Sequence, residues 1–361
     1  MERVIEGRAY IEGRFEECCI GIERGRITSI RKILDGEEKI RIRKGVILPA
    51  AVDIHVHFRE PGLTHKEDFS SGSLSAAYGG VSCVFDMPNT KPPTTDINSF
   101  KEKISIASRK SYVDFALYIG LTNDNIDRID ELLEVTKYFK IYLGETTGNL
   151  TLETEKLKKL KEIEGEIILA VHAEDRECLE KHWRGAKNLK EYAKSRPSRC
   201  EEIAIKKALE LIPDSKVKIH ICHLSSIEGL GQLEERSKNI SCGVTPHHLL
   251  FNTEQDLHPE TFFKVNPPIR NKLNQETLLD ALLTDAIDVI ESDHAPHTLE
   301  EKEMSFEEAP SGIPGVETMY PVLLHYFIKM GQPISILIKH LCEEPSKIMR
   351  LRKGRIKVGM D

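Results

Sequence analysis

The sequence has no block of basic residues, no long apolar run and no regular spacing of cysteines. Its 361 residues include 51 Lys and Arg against 58 Asp and Glu, and the formal charge is −7 at pH 7. Without a basic block, nucleic-acid binding is not indicated. Without a run of ~20 apolar residues or a charged leader with a short apolar core, neither a membrane span nor a signal peptide is indicated.

The eight cysteines, among them the adjacent Cys18 and Cys19, follow neither a disulfide framework nor a zinc-finger spacing. We therefore expect a reducing, cytoplasmic setting. Internal repeats and low-complexity tracts are also missing. The hydrophobic content of 40% is ordinary for a globular protein. The length allows one large α/β domain and a smaller appendage.

Residues 1–44 show a different pattern from the rest of the chain. Short alternating segments, separated by turns that contain glycine, occur at 8–11, 18–22, 26–30 and 39–42. This pattern is typical of a small β unit. A new strand-and-turn pattern starts near the C-terminus. We expect residues 346–361 to begin a returning segment of the same β-sandwich, which would leave the sandwich incomplete with an exposed sheet edge.

From residue 45 onward, apolar runs typical of strands alternate with amphipathic helical stretches. The runs are 45–57, 80–88, 114–120, 138–144, 166–174, 216–226, 240–251 and 286–296. Helices are expected at 66–78, 95–109, 126–137, 153–163, 201–211, 227–237, 275–283 and 317–330. The alternation indicates a parallel sheet, and eight strands close a (β/α)₈ TIM-type barrel. We assign residues 45–345 to this barrel.

The first of these runs ends in a pair of histidines, His55 and His57. Side chains two residues apart lie on the same face of a strand, and neutral imidazole is the commonest metal ligand. Taken alone, the pair fits two structural histidines equally well.

Further metal-capable side chains lie at the ends of later strands. They are Lys140, His172, His223 and Asp293. Because active sites of such barrels lie at the C-terminal ends of the strands, we predict a metal centre rather than scattered structural histidines. His220 competes with His223, which we favour because it is nearer the strand end. Cys222 is either an additional soft ligand or a small buried apolar residue.

Lys140 needs a chemical explanation, because an ammonium group cannot bind a cation and is costly to bury. A lysine that has taken up CO₂ is a carbamate, which can bridge two metal ions as a carboxylate does. The alternative is an ion pair with Glu145 or Glu174.

Five motifs in chain order are shared with a known family. They are Asp53-x-His55-x-His57-Phe58-Arg59-Glu60-Pro61-Gly62, Phe85-Asp86-Met87-Pro88-Asn89-Thr90, Thr245-Pro246-His247-His248, Asn266-Pro267-Pro268-Ile269-Arg270 and Ser292-Asp293-His294-Ala295-Pro296-His297-Thr298. With these motifs the chain resembles the dihydroorotases of the amidohydrolase superfamily, in the branch that carries a bridging lysine.

The resemblance implies a centre of two zinc ions. Its ligands would be His55, His57, carbamylated Lys140, His172, His223 and Asp293. Members of this branch can bind a further zinc through a cysteine matching Cys222 and a glutamate in the next strand; Gly243 stands in that place here, which argues against a third metal. A loop matching Thr146-Thr147 closes over the substrate in that branch, where it carries Thr-Phe.

The implied reaction is the reversible hydrolysis of the ring amide of dihydroorotate to N-carbamoyl-aspartate, in pyrimidine biosynthesis. A hydroxide between the two metal ions would attack the ring carbonyl, and Asp293 would be the acid and base. Arg59 would bind the substrate carboxylate, unless it forms a surface ion pair with Glu60 or Asp68. Further substrate contacts would come from Asn89, His297, Asn266 and the backbone at Ser311-Gly312. His247 and His248 are left out of the ligand set.

Two other functions remain open. An allantoinase or dihydropyrimidinase would share the barrel and the metals, but its substrates lack the carboxylate that Arg59 would bind. A catalytically inactive subunit that scaffolds aspartate transcarbamoylase would have lost metal ligands. A homo-oligomer and an association with aspartate transcarbamoylase are both compatible with the sequence.

Overall fold

The chain begins with a four-stranded sheet. In a computed structural model that describes residues 1–144, 150–163, 165–212 and 216–361, the sheet contains β1 (Arg3–Ile11), β2 (Arg14–Glu23), β3 (Arg26–Arg31) and β4 (Glu38–Arg41). The order is β3-β2-β1-β4, with β4 parallel to β1. Each hairpin turn has two residues at positive φ, the second a glycine: Glu12 and Gly13, then Arg24 and Gly25. Such turns match the right-handed twist of the strands they join.

The C-terminal residues return to this sheet. Ile27 of β3 donates its N–H to the carbonyl of Met360 at 2.9 Å and accepts the N–H of Gly359 at 2.8 Å. The side chain of Ile356 is buried against Ala9, Cys18 and other apolar residues of the sheet. Residues 352–361, all of which are described, form no strand, so the strand predicted there was wrong. The domain boundaries at 44/45 and 345/346 stay predictions.

The barrel strands follow in a parallel arrangement. They are β5 (Ala51–Val56), β6 (Val81–Asp86), β7 (Asp114–Leu117), β8 (Ile119–Gly120), β9 (Tyr138–Tyr142), β10 (Ile167–His172), β11 (Val217–Ile221), β12 (Ile240–Val244) and β13 (Val289–Ile290). One sheet has the order β5-β6-β7 and the other runs from β8 to β13. The short β7 and β8 are halves of one predicted strand, interrupted at Tyr118, and they join the two sheets.

A bridge between Val56 and His294 closes the ring, where the N–H of His57 donates to the carbonyl of His294 at 2.8 Å. The predicted (β/α)₈ barrel is confirmed.

The helices lie between these strands and after the last one. They are α1 (Phe69–Tyr78), α2 (Ile97–Lys110), α3 (Ile129–Leu132), α4 (Arg176–His182), α5 (Leu189–Ser195), α6 (Ser198–Leu211), α7 (Ile227–Gly231), α8 (Pro246–Leu250), α9 (Lys272–Leu283), α10 (Leu299–Lys302), α11 (Met319–Lys329), α12 (Ile334–Ile338) and α13 (Glu344–Ile348). Short 3₁₀ segments occupy Ile126–Arg128, Thr154–Lys161 and Glu260–Phe263, and a π-helical turn occupies Lys339–Glu343. No helix among the described residues combines the length and the apolar character needed to cross a membrane.

Four predicted elements differ markedly in the structure. The strand predicted at 240–251 ends at Val244, because Thr245 accepts the N–H of His248 and starts α8 with Pro246 in its first turn. The strand predicted at 286–296 is regular only at Val289–Ile290. The helix predicted at 126–137 is a 3₁₀ turn at Ile126–Arg128 followed by the short α3, and the helix predicted at 153–163 is a 3₁₀ segment at Thr154–Lys161. In each case the apolar pattern in the sequence is longer than the regular strand or helix in the structure.

A disulfide bond joins Cys178 in α4 to Cys200 in α6. The sequence analysis did not predict it, because the two cysteines are 22 residues apart and no spacing rule pairs them. The remaining six cysteines are free and buried.

A buried ion pair links the helical layer to the barrel rim. The ammonium of Lys103 in α2 lies 2.5 Å from the Asp86 carboxylate at the end of β6, and both side chains are fully buried. Lys103 also donates to the carbonyl of Met87, and Asp86 accepts the N–H of Phe58 at 2.7 Å. The pair therefore fixes the chain just after His57.

We expect Lys103→Met to lower the free energy of unfolding by about 3–5 kcal/mol, because it leaves the Asp86 carboxylate buried without its partner. Chemical unfolding followed by circular dichroism measures the change. Lys101→Met is the matched control, since Lys101 is exposed on the same helix. Equal stability of both variants would show that the ion pair contributes nothing.

Candidate active site

One cavity of about 210 Å³ opens at the C-terminal ends of the barrel strands. All ten residues proposed from the sequence line it: His55, His57, Arg59, Asn89, Lys140, His172, His223, Asn266, Asp293 and His297. Ser311 and Gly312 line it as well. The structure thus brings together residues from strands on every side of the barrel.

His55 and His57 reach the cavity because the strand that carries them is irregular. Val52 and Ile54 already point into the barrel interior, so strict alternation would turn His55 and His57 outward. The pairing of β5 with β6 shifts between Asp53 and Val56. Bulges of this kind often re-aim side chains next to active sites. The sequence predicted that His55 and His57 lie on the same face of the strand. It did not predict the shift in strand pairing that turns this face toward the cavity.

Both histidines meet Asp293. Its Oδ1 lies 3.3 Å from Nε2 of His55 and 3.1 Å from Nε2 of His57. The Nδ1–H of His57 donates to Oδ1 of Asn89 at 2.7 Å, so the lone pair of its Nε2 faces the carboxylate. Two acceptors that face each other at this distance are both satisfied by a metal ion or by a second proton on the imidazole.

The second pair of histidines lies next to the first, with the ring centres of His55 and His223 5.2 Å apart. Nδ1 of His172 is 3.0 Å from Nε2 of His223. Nε2 of His172 lies 3.2 Å from the Glu174 carboxylate, which leaves Nδ1 as the acceptor on the cavity side. Glu174 is fully buried and paired with Arg196 at 2.5 Å. Sequence reasoning missed Arg196, and it considered Glu174 only as a partner of Lys140.

Burial favours the neutral form of His55, His172 and His223. It lowers the pKa of His55 and His223 well below the usual value, and nearby Lys140 and the other histidines lower it further. The pKa of His172 is also lowered by burial, against an opposing effect of Glu174. Burial alone would raise the pKa of Asp293, but His55 and His57 lower it to below its usual range. Neutral imidazoles and an ionised carboxylate are the forms that bind metal ions.

Lys140 is fully buried, and its environment is poor for an ammonium group. Its Nζ lies 3.1 Å from Sγ of Cys222 and 5.2 Å from the centre of the Tyr142 ring. Burial raises the pKa of Cys222 to about 12, so the thiol offers no negative charge. Within the described part of the chain, no carboxylate forms an ion pair with Lys140. Glu145 and the predicted loop at Thr146-Thr147 lie outside the described residues.

Glu291 is a site residue that the sequence analysis missed. Its fully buried carboxylate accepts the N–H of His223 at 2.7 Å, contacts Nε2 of His220 at 3.2 Å and lies 3.6 Å from Nδ1 of His55. A Cβ atom at Gly243 would lie 2.6 Å from Oε1 of Glu291. The carboxylate therefore fills the space that a side chain at position 243 would occupy, and only glycine leaves room for it.

His220 and His223 have different surroundings in the structure. His220 is held by Glu291 and by Oγ of Ser241 at 3.0 Å, whereas His223 lines the cavity. His247 and His248 also lie outside the lining of this cavity. Among the described residues, His55, Cys222 and Glu291 form a further group that could hold a metal ion. Glu291 supplies a carboxylate beside Cys222 although position 243 is a glycine.

Three non-glycine residues at the site have positive φ: Arg59 at 62°, His223 at 40° and Asp293 at 46°. Such backbone conformations cost of order 1–3 kcal/mol each and persist where the surrounding structure imposes them. The hydrogen bond from the N–H of His223 to Glu291 is one such constraint.

Arg59 and His297 form a further polar part of the cavity lining. Arg59 is buried and donates its Nε–H to the carbonyl of Pro296 at 3.1 Å. Its Nη2 lies 3.2 Å from Nε2 of His297. The surface ion pairs considered for Arg59 are not formed, since Glu60 and Asp68 pair with Lys110. Asn266 accepts the hydroxyl of Tyr192 at 2.6 Å.

Comparison with known sequences points to one family. Residues 44–229 match the family described as Dihydro-orotase-like. A dihydroorotase from Methanosarcina acetivorans is 39% identical over 98% of this chain and 80% of its own length. A dihydroorotase from Thermoplasma acidophilum is 40% identical over 100% of this chain and 83% of its own length. The chain belongs to the dihydroorotase family. The resemblance inferred from the motifs is confirmed.

The fold of this dihydroorotase-family chain is shared with hydrolases of other cyclic amides. The structure of the L-hydantoinase (dihydropyrimidinase) from Arthrobacter aurescens is 26% identical, with a TM-score of 0.93, over 100% of this chain and 85% of that one. A D-hydantoinase from a Thermus species has a TM-score of 0.86 at 22% identity, over 99% of this chain and 84% of that one.

We expect Glu291→Ala to weaken metal binding by roughly 10- to 100-fold, because residues that orient metal ligands have effects of this size. Metal content after dialysis against graded chelator measures the loss. Glu303→Ala is the matched control, since Glu303 is exposed and outside the cavity lining. Undiminished metal retention by the Glu291 variant would contradict the assigned role.

Proposed function

We propose that this protein is a dihydroorotase, which interconverts dihydroorotate and N-carbamoyl-aspartate. The observation that carries the proposal is the shared cavity: a cluster of six metal-capable residues faces the buried cation Arg59 and its neighbour His297. Dihydroorotate has the matching shape, a cyclic ureide with an amide to hydrolyse and a carboxylate beside it.

The cavity residues fit two divalent metal ions. His55, His57 and Asp293 would hold one, and His172 and His223 would hold the other, with Lys140 as a carbamate between them. The support is the facing acceptors at His57 and Asp293, the neutral imidazoles of His55, His172 and His223, and a buried lysine that has no carboxylate partner among the described residues. Such ions lower the pKa of a bound water and polarise a carbonyl group.

Arg59 binds and orients the substrate. A guanidinium donates two parallel hydrogen bonds to a carboxylate, which fixes both position and orientation. His297 and Asn89 line the same cavity as Arg59. Asn266, Ser311 and Gly312 line it as well, where they would exclude water and contact the ring.

Asp293 moves the proton. Its lowered pKa keeps the carboxylate ionised at neutral pH, so its oxygen can accept a proton from the attacking water. The same oxygen then donates that proton to the ring nitrogen as the amide bond breaks. In the direction of ring closure the steps are reversed.

The main alternative is a hydantoinase or dihydropyrimidinase, whose fold is nearly identical. The relatives at 39% and 40% identity are named dihydroorotases, whereas the hydantoinase structure is 26% identical. Arg59 also favours dihydroorotate, because a buried cation at the substrate wall needs an anionic partner. A non-catalytic scaffold is disfavoured, since every proposed ligand lines the cavity. Assembly with aspartate transcarbamoylase or as a homo-oligomer stays a prediction.

We expect the metal-loaded protein to hydrolyse dihydroorotate, seen as loss of its ultraviolet absorbance, and to lose this activity with chelator. Arg59→Met should raise KM by about 10- to 100-fold, because charge-assisted hydrogen bonds contribute ~1.5–3 kcal/mol. Dihydrouracil and allantoin are the control substrates. Turnover of either one, with none of dihydroorotate, would assign the protein to the alternative.

We expect Lys140→Ala to lose most bound metal and activity, because the bridge between the two ions would be missing. Metal analysis and the same absorbance assay measure both losses. Lys161→Ala, on an exposed position, is the control. A Lys140 variant with full metal content and full activity would refute the carbamate bridge.

A further inference from the structure

His297 is held at both of its ring nitrogens. Nδ1 lies 3.0 Å from the ammonium of Lys66, and Nε2 lies 3.0 Å from the carbonyl oxygen of Ser311. An ammonium group has donors only, and a carbonyl oxygen is an acceptor only. The two shorter contacts are both satisfied when Nδ1 accepts from Lys66 and Nε2–H donates to Ser311. The guanidinium of Arg59, a donor 3.2 Å from the same Nε2, is then left without an acceptor there.

The other neighbours agree with this arrangement. Glu301 lies 3.4 Å from Nδ1 of His297, but its carboxylate accepts from Lys66 at 2.9 Å and from the N–H of Thr298 at 3.1 Å. Burial, Arg59 and Lys66 together lower the pKa of His297 to about 3, so the ring is neutral and has one proton to place.

The tautomer decides what His297 can offer a ligand. With the proton on Nε2, two donors lie side by side, this N–H and the Nη2 of Arg59 at 3.2 Å. Neither can accept from the other, and an anion between them would accept from both. With the proton on Nδ1, a lone pair would face the cavity and repel a carboxylate.

The segment that contains Lys66 also determines the tautomer of a second histidine, His294. Glu67, next to Lys66, lies 2.7 Å from Nε2 of His294, while Nδ1 of His294 accepts the N–H groups of Gly315 and Val316. Lys66 and Glu67 are neighbours in one loop. They thus hold His297 and His294, which follow β13, in the same tautomer, with the proton on Nε2.

We propose that Lys66 is a positioning residue for anion recognition: it holds His297 with the proton on Nε2, so that His297 and Arg59 donate together to the carboxylate of a cyclic ureide. Lys66 does not line the cavity and acts through His297. The identity of the ligand rests on the proposed function, whereas the tautomer does not.

The tautomer is tested without substrate, by ¹⁵N NMR of the histidine-labelled, metal-loaded protein, with His297 assigned through His297→Asn. We expect protonated Nε2 in the unmodified protein and a shift toward protonated Nδ1 in Lys66→Met. Protonated Nδ1 in the unmodified protein, or an unchanged spectrum in Lys66→Met, would overturn the proposal.

Kinetics then separate the tautomer from simple charge attraction. Lys66→Met should raise KM for dihydroorotate by about 10-fold, the effect of one lost charge-assisted hydrogen bond, with kcat within about twofold. Lys66→Gln has no charge, but its amide can donate to Nδ1, so we expect it to recover most of the loss. Lys91→Met, an exposed lysine, should leave KM unchanged.

Equal KM values for Lys66→Met and Lys66→Gln would show that charge, not the tautomer, matters, and would refute the proposal. If no variant and not even the unmodified protein turns over dihydroorotate, the proposed function fails, while the NMR result still decides the role of Lys66.

Discussion

The site depends on how the first and last barrel strands are joined at the rim. Asp53 is fully buried, and its Oδ1 accepts the N–H of His55 at 3.2 Å and the N–H of Ser292 at 3.1 Å. These contacts coincide with the irregular pairing that turns His55 and His57 inward. Burial raises the pKa of Asp53 to about 7. The contacts that join the first and last strands of the barrel therefore also orient His55 and His57 toward the cavity.

Much of this arrangement could be predicted from the sequence. Parallel strands place their C-terminal ends on one rim, so residues such as Lys140 and Asp293 could be assigned to one site without coordinates. The shared face of His55 and His57 followed from alternation. The barrel itself followed from the number of apolar runs.

The parts that could not be predicted depend on contacts between distant segments. The irregular strand pairing after Asp53 cannot be recognised from the alternation of apolar and polar residues in the sequence. Glu174 became a partner of His172 only because Arg196, 22 positions away, neutralises it. Lys66 looked like an ordinary lysine at the start of a predicted helix, and only the positions of His297 and Ser311 show what it does. Strand ends were also misplaced where a cap such as Thr245 overrides an apolar pattern.

The close approach of Gly243 and Glu291 has an evolutionary consequence. A carboxylate can reach this spot from the seventh strand or from the eighth, but the space holds one and not both. A side chain at position 243 would clash with the Glu291 carboxylate, whereas a smaller residue at position 291 would leave the N–H of His223 without its acceptor. The two positions are expected to covary among descendants of this chain, with intermediates that pass through a less stable site.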